Sequence, residues 1–114
     1  MQAKIPLLEC TNTNLNFVID SGSNTSLISH NYMTPTEHYD DFAIAANNTR
    51  IFIYGARYVD VNFGGENCRW KFLIADIKRN IIGCDYLKHF KFSYDFENST
   101  LFHAEMFPNP SSGE

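Results

Sequence analysis

Residues 17–28 read FVIDSGSNTSLI. An apolar run delivers a carboxylate, Asp20, straight into a Ser-Gly turn, and a second apolar pair, Leu27 and Ile28, follows. Carboxylates are among the side chains least often buried, and an unpaired buried one is costly. Three arrangements account for an acid at such a place. Asp20 can open an Asx turn after a strand, which is ordinary chemistry for Asp-Ser-Gly. With Thr25 or Ser26 as a second hydroxyl, the stretch also fits a phosphorylation-dependent recognition motif, although such motifs lie in exposed flexible segments. Thirdly, Asp20 can be a catalytic acid or base. Ser21 would then lock the loop through its hydroxyl, and Gly22, lacking a Cβ, would let the backbone turn sharply and a substrate come close. The triplet alone leaves all three open.

Other chemistry-bearing residues form no pattern. Cys10, Cys68 and Cys84 are too few and too scattered for a disulfide framework or a zinc site, and read as semi-buried thiols of a reducing compartment. His30, His38, His89 and His103 share no ligand spacing, so no metal is expected. Asn-x-Ser/Thr triplets occur at Asn24, Asn47 and Asn98, but MQAKIPLLEC lacks the apolar region of a signal peptide, so they read as chance. A formal net charge of −4 offers no electrostatic footprint for nucleic acid or an anionic membrane, and no stretch has the length of a membrane span.

The elements that must carry Asp20 are mostly strands. At 114 residues, with 44% hydrophobic residues and ten Phe, the chain suits one globular domain with a modest core. YVDVNF (58–63) alternates strictly, with Val59, Val61 and Phe63 on one face. CRWKFLIA (68–75) returns with Trp70, Phe72 and Ile74 on one face, which predicts a hairpin with a four-residue loop at 64–67. Lys4 to Glu9 with Leu15 to Asp20, and KFSYDF (91–96) with LFHAE (101–105), suggest two more hairpins. Only DYLKHF (85–90) reads as helix, with Asp85 as N-cap and Tyr86 or Leu87 facing inward with Phe90. Residues 106–114 are expected to be a flexible polar tail behind a domain spanning 1–105. Many short strands and one short helix indicate an all-β barrel or sandwich.

Three blocks in fixed order resemble the retropepsin-like aspartic proteases, especially those of gypsy-like LTR retrotransposons. They are FVIDSGSNTSLI, the segment FAIAANNTRIFIYGARYVDVNF, and NIIGCDYLKHF followed by FSYDFENSTLF. The resemblance implies an all-β, closed retropepsin-like barrel with one short helix near the C-terminus. It implies Asp20 as the catalytic carboxylate, in an active-site loop of Ser21, Gly22, Ser23 and Asn24, with Ser21 bonding across a dimer axis. A flap hairpin covering the substrate would have its tip near Ile44, Ala45, Ala46, Asn47 and Asn48, and Ile81 and Ile82 would line apolar subsites beside the loop.

One Asp-Ser-Gly and no internal repeat supply only half of the two carboxylates this chemistry uses, so a two-fold symmetric homodimer is expected. The implied activity is an endopeptidase that processes a Gag-Pol-type polyprotein, taking peptide substrates with apolar residues flanking the cleaved bond. It needs no cofactor and acts in the cytoplasm or within virus-like particles. A domesticated dimerisation or peptide-binding domain with little catalysis is the alternative, and a cellular protease of the same fold is a third. Two departures stand out. Ser23 occupies a position where a hydroxyl donating to Asp20 would shift the pH optimum towards acid. Asn24 and Cys84 stand where retroviral members carry an Asp and an Arg that brace the dimer.

Overall fold

The computed structural model describes residues 7–10, 13–45, 47–63, 66–95, 97 and 100–103. Along the chain run β1 (Leu7–Glu9), β2 (Asn16–Ile19), β3 (Leu27–Ser29), β4 (Glu37–Ile44), β5 (Arg50–Phe63), β6 (Glu66–Ala75) and β7 (Asn80–Ile82). Helix α1 (Cys84–His89), β8 (Phe92–Asp95) and β9 (Thr100–His103) follow. β1 to β7 form one mixed sheet in the order β1-β2-β7-β3-β6-β5-β4, and β8 and β9 pair separately. β2 lies parallel to β7 and β3 parallel to β6, so two chain crossovers bring distant segments side by side.

The alternation in the sequence is realised in the core. Val59, Val61 and Phe63 are buried on β5, and Cys68, Phe72 and Ile74 face them from β6. Tyr86 of α1 is fully buried against Phe63, Trp70, Phe72 and Phe92, which fastens the helix to the sheet. Leu87 and Phe90 pack against the same cluster. A second, smaller cluster is built on Leu27, Ile53 and Ala75, with Ala43, Ile51 and Ile81 among the side chains packed around it.

Three expectations need correction. Among the described residues the sheet is open, with β1 and β4 as its edges, rather than closed into a barrel. Glu37, Asp40 and Asp41 are exposed along β4, and charged side chains on an edge strand disfavour its pairing with a further strand. The β5–β6 hairpin has a two-residue connection, because Phe63 pairs with Glu66 and Asn62 with Asn67, drawing Glu66 and Asn67 into β6. The helix starts one residue early, with Gly83 at the N-cap. Asp85 is therefore in the first turn, and its carboxylate is engaged elsewhere. The first hairpin pairs Leu7 with Val18 and Glu9 with Asn16, within the expected spans, while residues 4–6 lie outside the described residues. So do 104–114, and with them the expected tail.

Candidate active site

Asp20 directly follows β2, and its amide donates to the Ile82 carbonyl at 3.0 Å, continuing the parallel pairing with β7 by one residue. The chain then turns. Ser23 N–H donates to the Asp20 carbonyl at 3.0 Å, and Gly22 N–H donates to Asp20 Oδ1 at 3.0 Å. One carboxylate oxygen is thereby held by its own loop. Asp20, Ser21 and Gly22 are all exposed. A Cβ on Gly22 would stand 3.2 Å from Asp20 Oδ1, so a side chain there would crowd the carboxylate.

The other end of the loop is anchored deep in the protein. Ser26 is fully buried; its hydroxyl donates to Asp85 Oδ1 at 2.7 Å and accepts from Gly83 N–H at 2.9 Å. Asp85 Oδ2 accepts from Ser26 N–H at 3.1 Å and from Trp70 Nε1–H at 3.0 Å. One carboxylate thus ties the loop, the β7–α1 junction and β6 together. Gly83 permits the close approach: an added Cβ would meet the Ser23 and Thr25 carbonyl oxygens at 2.7 Å each. Cys84 completes the contact, its amide donating to the Ser23 carbonyl at 2.8 Å and its thiol to the Ser21 carbonyl at 2.7 Å. The position where a dimer-bracing Arg was considered therefore serves a bond within the chain, while Asn24 is exposed.

Ser23 departs from expectation. Its hydroxyl donates to the Thr25 carbonyl at 2.8 Å rather than to Asp20, because the turn points it back along the loop. Ile82 also plays a different part: it is fully buried in the main core, so it supports the loop from beneath instead of lining a subsite. Ile81 is half-buried in the second cluster, on the same side as Ala43 and Ile51 of the β4–β5 hairpin.

That hairpin has its turn at 45–49. Ala45 N–H donates to the Thr49 carbonyl and Asn48 N–H to the Ala45 carbonyl, both at 2.9 Å. Asn48 adopts a left-handed φ of 65°, which Asn tolerates better than most residues. Asn47 Oδ1 accepts from Thr49 N–H and Oγ1–H at 3.2 and 2.6 Å. Ile44 is exposed, and Ala46 lies outside the described residues. Phe42, also exposed, stacks edge-on against its cross-strand partner Phe52 with Arg50 over its ring. Where the hairpin crosses the sheet, Gly55 has φ +154° and no room for a Cβ beside the Glu37 carbonyl.

Ser26, Trp70 and Asp85 were not singled out from the sequence as a unit. An Asp at the start of a helix reads as a cap, and nothing local shows that its partner is 59 positions away. Asn80 was missed as well: its side chain accepts from Ser29 N–H and donates to the Asn16 carbonyl, joining β7 to both neighbours. Among the described residues, no group of three or more His, Cys, Asp or Glu side chains could hold a metal ion. No helix among them is long and apolar enough to cross a membrane.

No family model and no curated protein matches the sequence. Solved structures do match. The chain is similar to EIAV protease complexed with the inhibitor HBY-793, at 18% identity and a TM-score of 0.61, over 77% of this chain and 88% of that one. It is similar also to the retroviral protease-like domain of Ddi1 from Leishmania major, at 19% identity and a TM-score of 0.64, over 90% of each chain. The molecule therefore has the retropepsin-like fold, mostly β with one short helix, and carries Asp20-Ser21-Gly22 on the exposed turn that ends β2.

Proposed function

We propose that this chain is an aspartic endopeptidase that works as a homodimer, with Asp20 of each copy forming the catalytic pair. One observation carries the reading: a carboxylate is held exposed by its own loop amide, on a turn whose far end is locked into the core by Ser26, Gly83 and Asp85. A merely structural Asx turn does not need such a foundation. The chemistry follows from the pair. Carboxylates roughly 3 Å apart do not both ionise, so one is base and the other acid. The base takes a proton from a water, which attacks the amide carbon; the acid polarises the carbonyl and then supports protonation of the leaving nitrogen. A single chain supplies one such Asp, so a second copy has to supply the other. Hydrolysis by water needs no cofactor.

The β4–β5 hairpin, with its turn at 45–49, is the element suited to cover an extended substrate, with Ala43, Ile51 and Ile81 offering apolar contacts. Peptides with apolar residues around the cleaved bond fit that surface, and a Gag-Pol-type polyprotein of a retrotransposon is the natural source. The likeness to the Ddi1 domain, over 90% of both chains, favours a second reading: a retropepsin-like domain of a cellular protein. Cleavage of a mixed peptide library between about pH 4 and 7, at several enzyme concentrations, tests the proposal. Activity that rises faster than linearly with enzyme and vanishes in Asp20→Asn supports it. Equal inertness of both proteins leaves a domain for dimerisation or peptide binding.

A further inference from the structure

β2 and β7 run parallel, so the loops that follow them, with Asp20 and with Gly83, stand at one end of the pair. At the other end, where both strands begin, lies a pocket of about 470 Å³. Its walls carry Lys78, Arg79, Asn14, Asn16, Asn80 and Tyr32. Phe17 is the partner of Asn80, which leaves three residues of strand, about 10 Å, between this pocket and Asp20.

Several cations elsewhere on the molecule are partnered, whereas these two, like the exposed Lys88, are not. Arg69 pairs with Asp60 and Lys71 with Glu37, Arg57 donates to the Thr34 carbonyl, and Arg50 lies over Phe42. Lys78 and Arg79 are exposed and make no ion pair or hydrogen bond among the described residues. The nearest acid in sequence, Asp76, is 3.3 Å from His30 Nε2. Two adjacent cations without an ion pair attract anions, and the acid that strand pairing sets nearest the pocket is Glu9, across from Asn16. The walls around them are fixed. Asn80 is buried with both ends of its amide bonded, Asn14 N–H is bonded to the Cys10 carbonyl, and Leu15 packs against the main core. A site with fixed walls loses little freedom on binding.

We infer that this pocket binds an acidic peptide segment. Arg79 presents a planar fork matched to a carboxylate, and Lys78 adds a second positive charge beside it. The exposed Asn14 and Asn16 offer amides to a peptide backbone, and Tyr32, 58% exposed, offers a ring face to side-chain methylenes. Inorganic phosphate shares the oxyanion chemistry but would leave the asparagines and Tyr32 unused. The site is separate from Asp20, so binding here does not depend on hydrolysis there.

Titration of the full chain with triglutamate, followed by amide chemical shifts and calorimetry, tests this, with triglutamine and inorganic phosphate as comparators. Triglutamate should shift the amides of Asn16, Lys78, Arg79 and Asn80, and its binding should weaken with added salt. Affinity should fall roughly tenfold in Arg79→Ala and several-fold in Lys78→Ala, while the melting temperature of both variants stays at that of the wild type. The inference is overturned if triglutamate does not bind, if triglutamine binds as well, or if both variants bind like the wild type. Phosphate binding as tightly as triglutamate would also overturn it, assigning the pocket to small oxyanions.

Discussion

The loop between β2 and β3 has two ends in opposite surroundings. Asp20, Ser21 and Gly22 are exposed, with the Asp20 carboxylate bonded to Gly22 N–H, whereas Ser26 is fully buried and bonded to Gly83 and Asp85. Both ends carry an acid nearby, but the acids do different things. Asp85 accepts three hydrogen bonds from two segments and fixes geometry. Asp20 spends one oxygen on Gly22 and keeps its place at the surface. A carboxylate used for chemistry must be reachable, and one used for architecture must be saturated; six positions of chain separate the two environments.

Substitutions can break that comparison. The largest effect on function is expected at the exposed end: Asp20→Asn should lower peptide cleavage by at least about 10³-fold while changing stability by less than about 0.5 kcal/mol. Cleavage assays and thermal denaturation on the same sample check this, and a fully active Asp20→Asn would reduce the exposed end to a simple turn. The largest effect on stability is expected at the buried end. Asp85→Ala strands the Trp70 indole N–H and both Ser26 donors, and should cost about 2–4 kcal/mol in urea denaturation.

Two glycines sharpen the contrast. Gly83→Ala forces a methyl against two carbonyl oxygens and should cost about 1–3 kcal/mol. Gly22→Ala meets only the Asp20 carboxylate, so it should change stability by less than about 1 kcal/mol yet reduce cleavage. Paired melting curves and cleavage rates separate the two outcomes. The smallest effect belongs to Ser23→Ala. Losing its bond to Thr25 should cost about 1 kcal/mol and leave the pH profile of cleavage where it was. An optimum that moved upward would instead tie the Ser23 hydroxyl to Asp20.

The exposed end was far more legible in the sequence than the buried one. An apolar run ending in Asp-Ser-Gly announces itself within a few residues, and period-two runs such as 58–63 announce their strands and their buried faces. β3 and β7, three residues each, are too short to show a period, and their parallel pairings join segments whose proximity no local pattern encodes. The charges along β4, an edge of the open sheet, are visible in the sequence but do not by themselves tell an edge strand from a strand of a closed barrel. Asp85 misled for a related reason. A residue suited to capping a helix was bonded instead to Ser26 and Trp70, and tertiary contacts overrode the local preference.

β5 belongs to both hydrophobic clusters: Val59, Val61 and Phe63 sit in the large one, and Ile53 sits in the small one, with Gly55 between them. The fourteen-residue strand is thus continuous in its backbone but unevenly secured along its length. Opening the 50–54 arm separates few buried side chains, while opening 59–63 dismantles the main core. Amide exchange should therefore fall into two cooperative units divided near Gly55, with the outer arm exchanging through local opening and the inner half only through global unfolding.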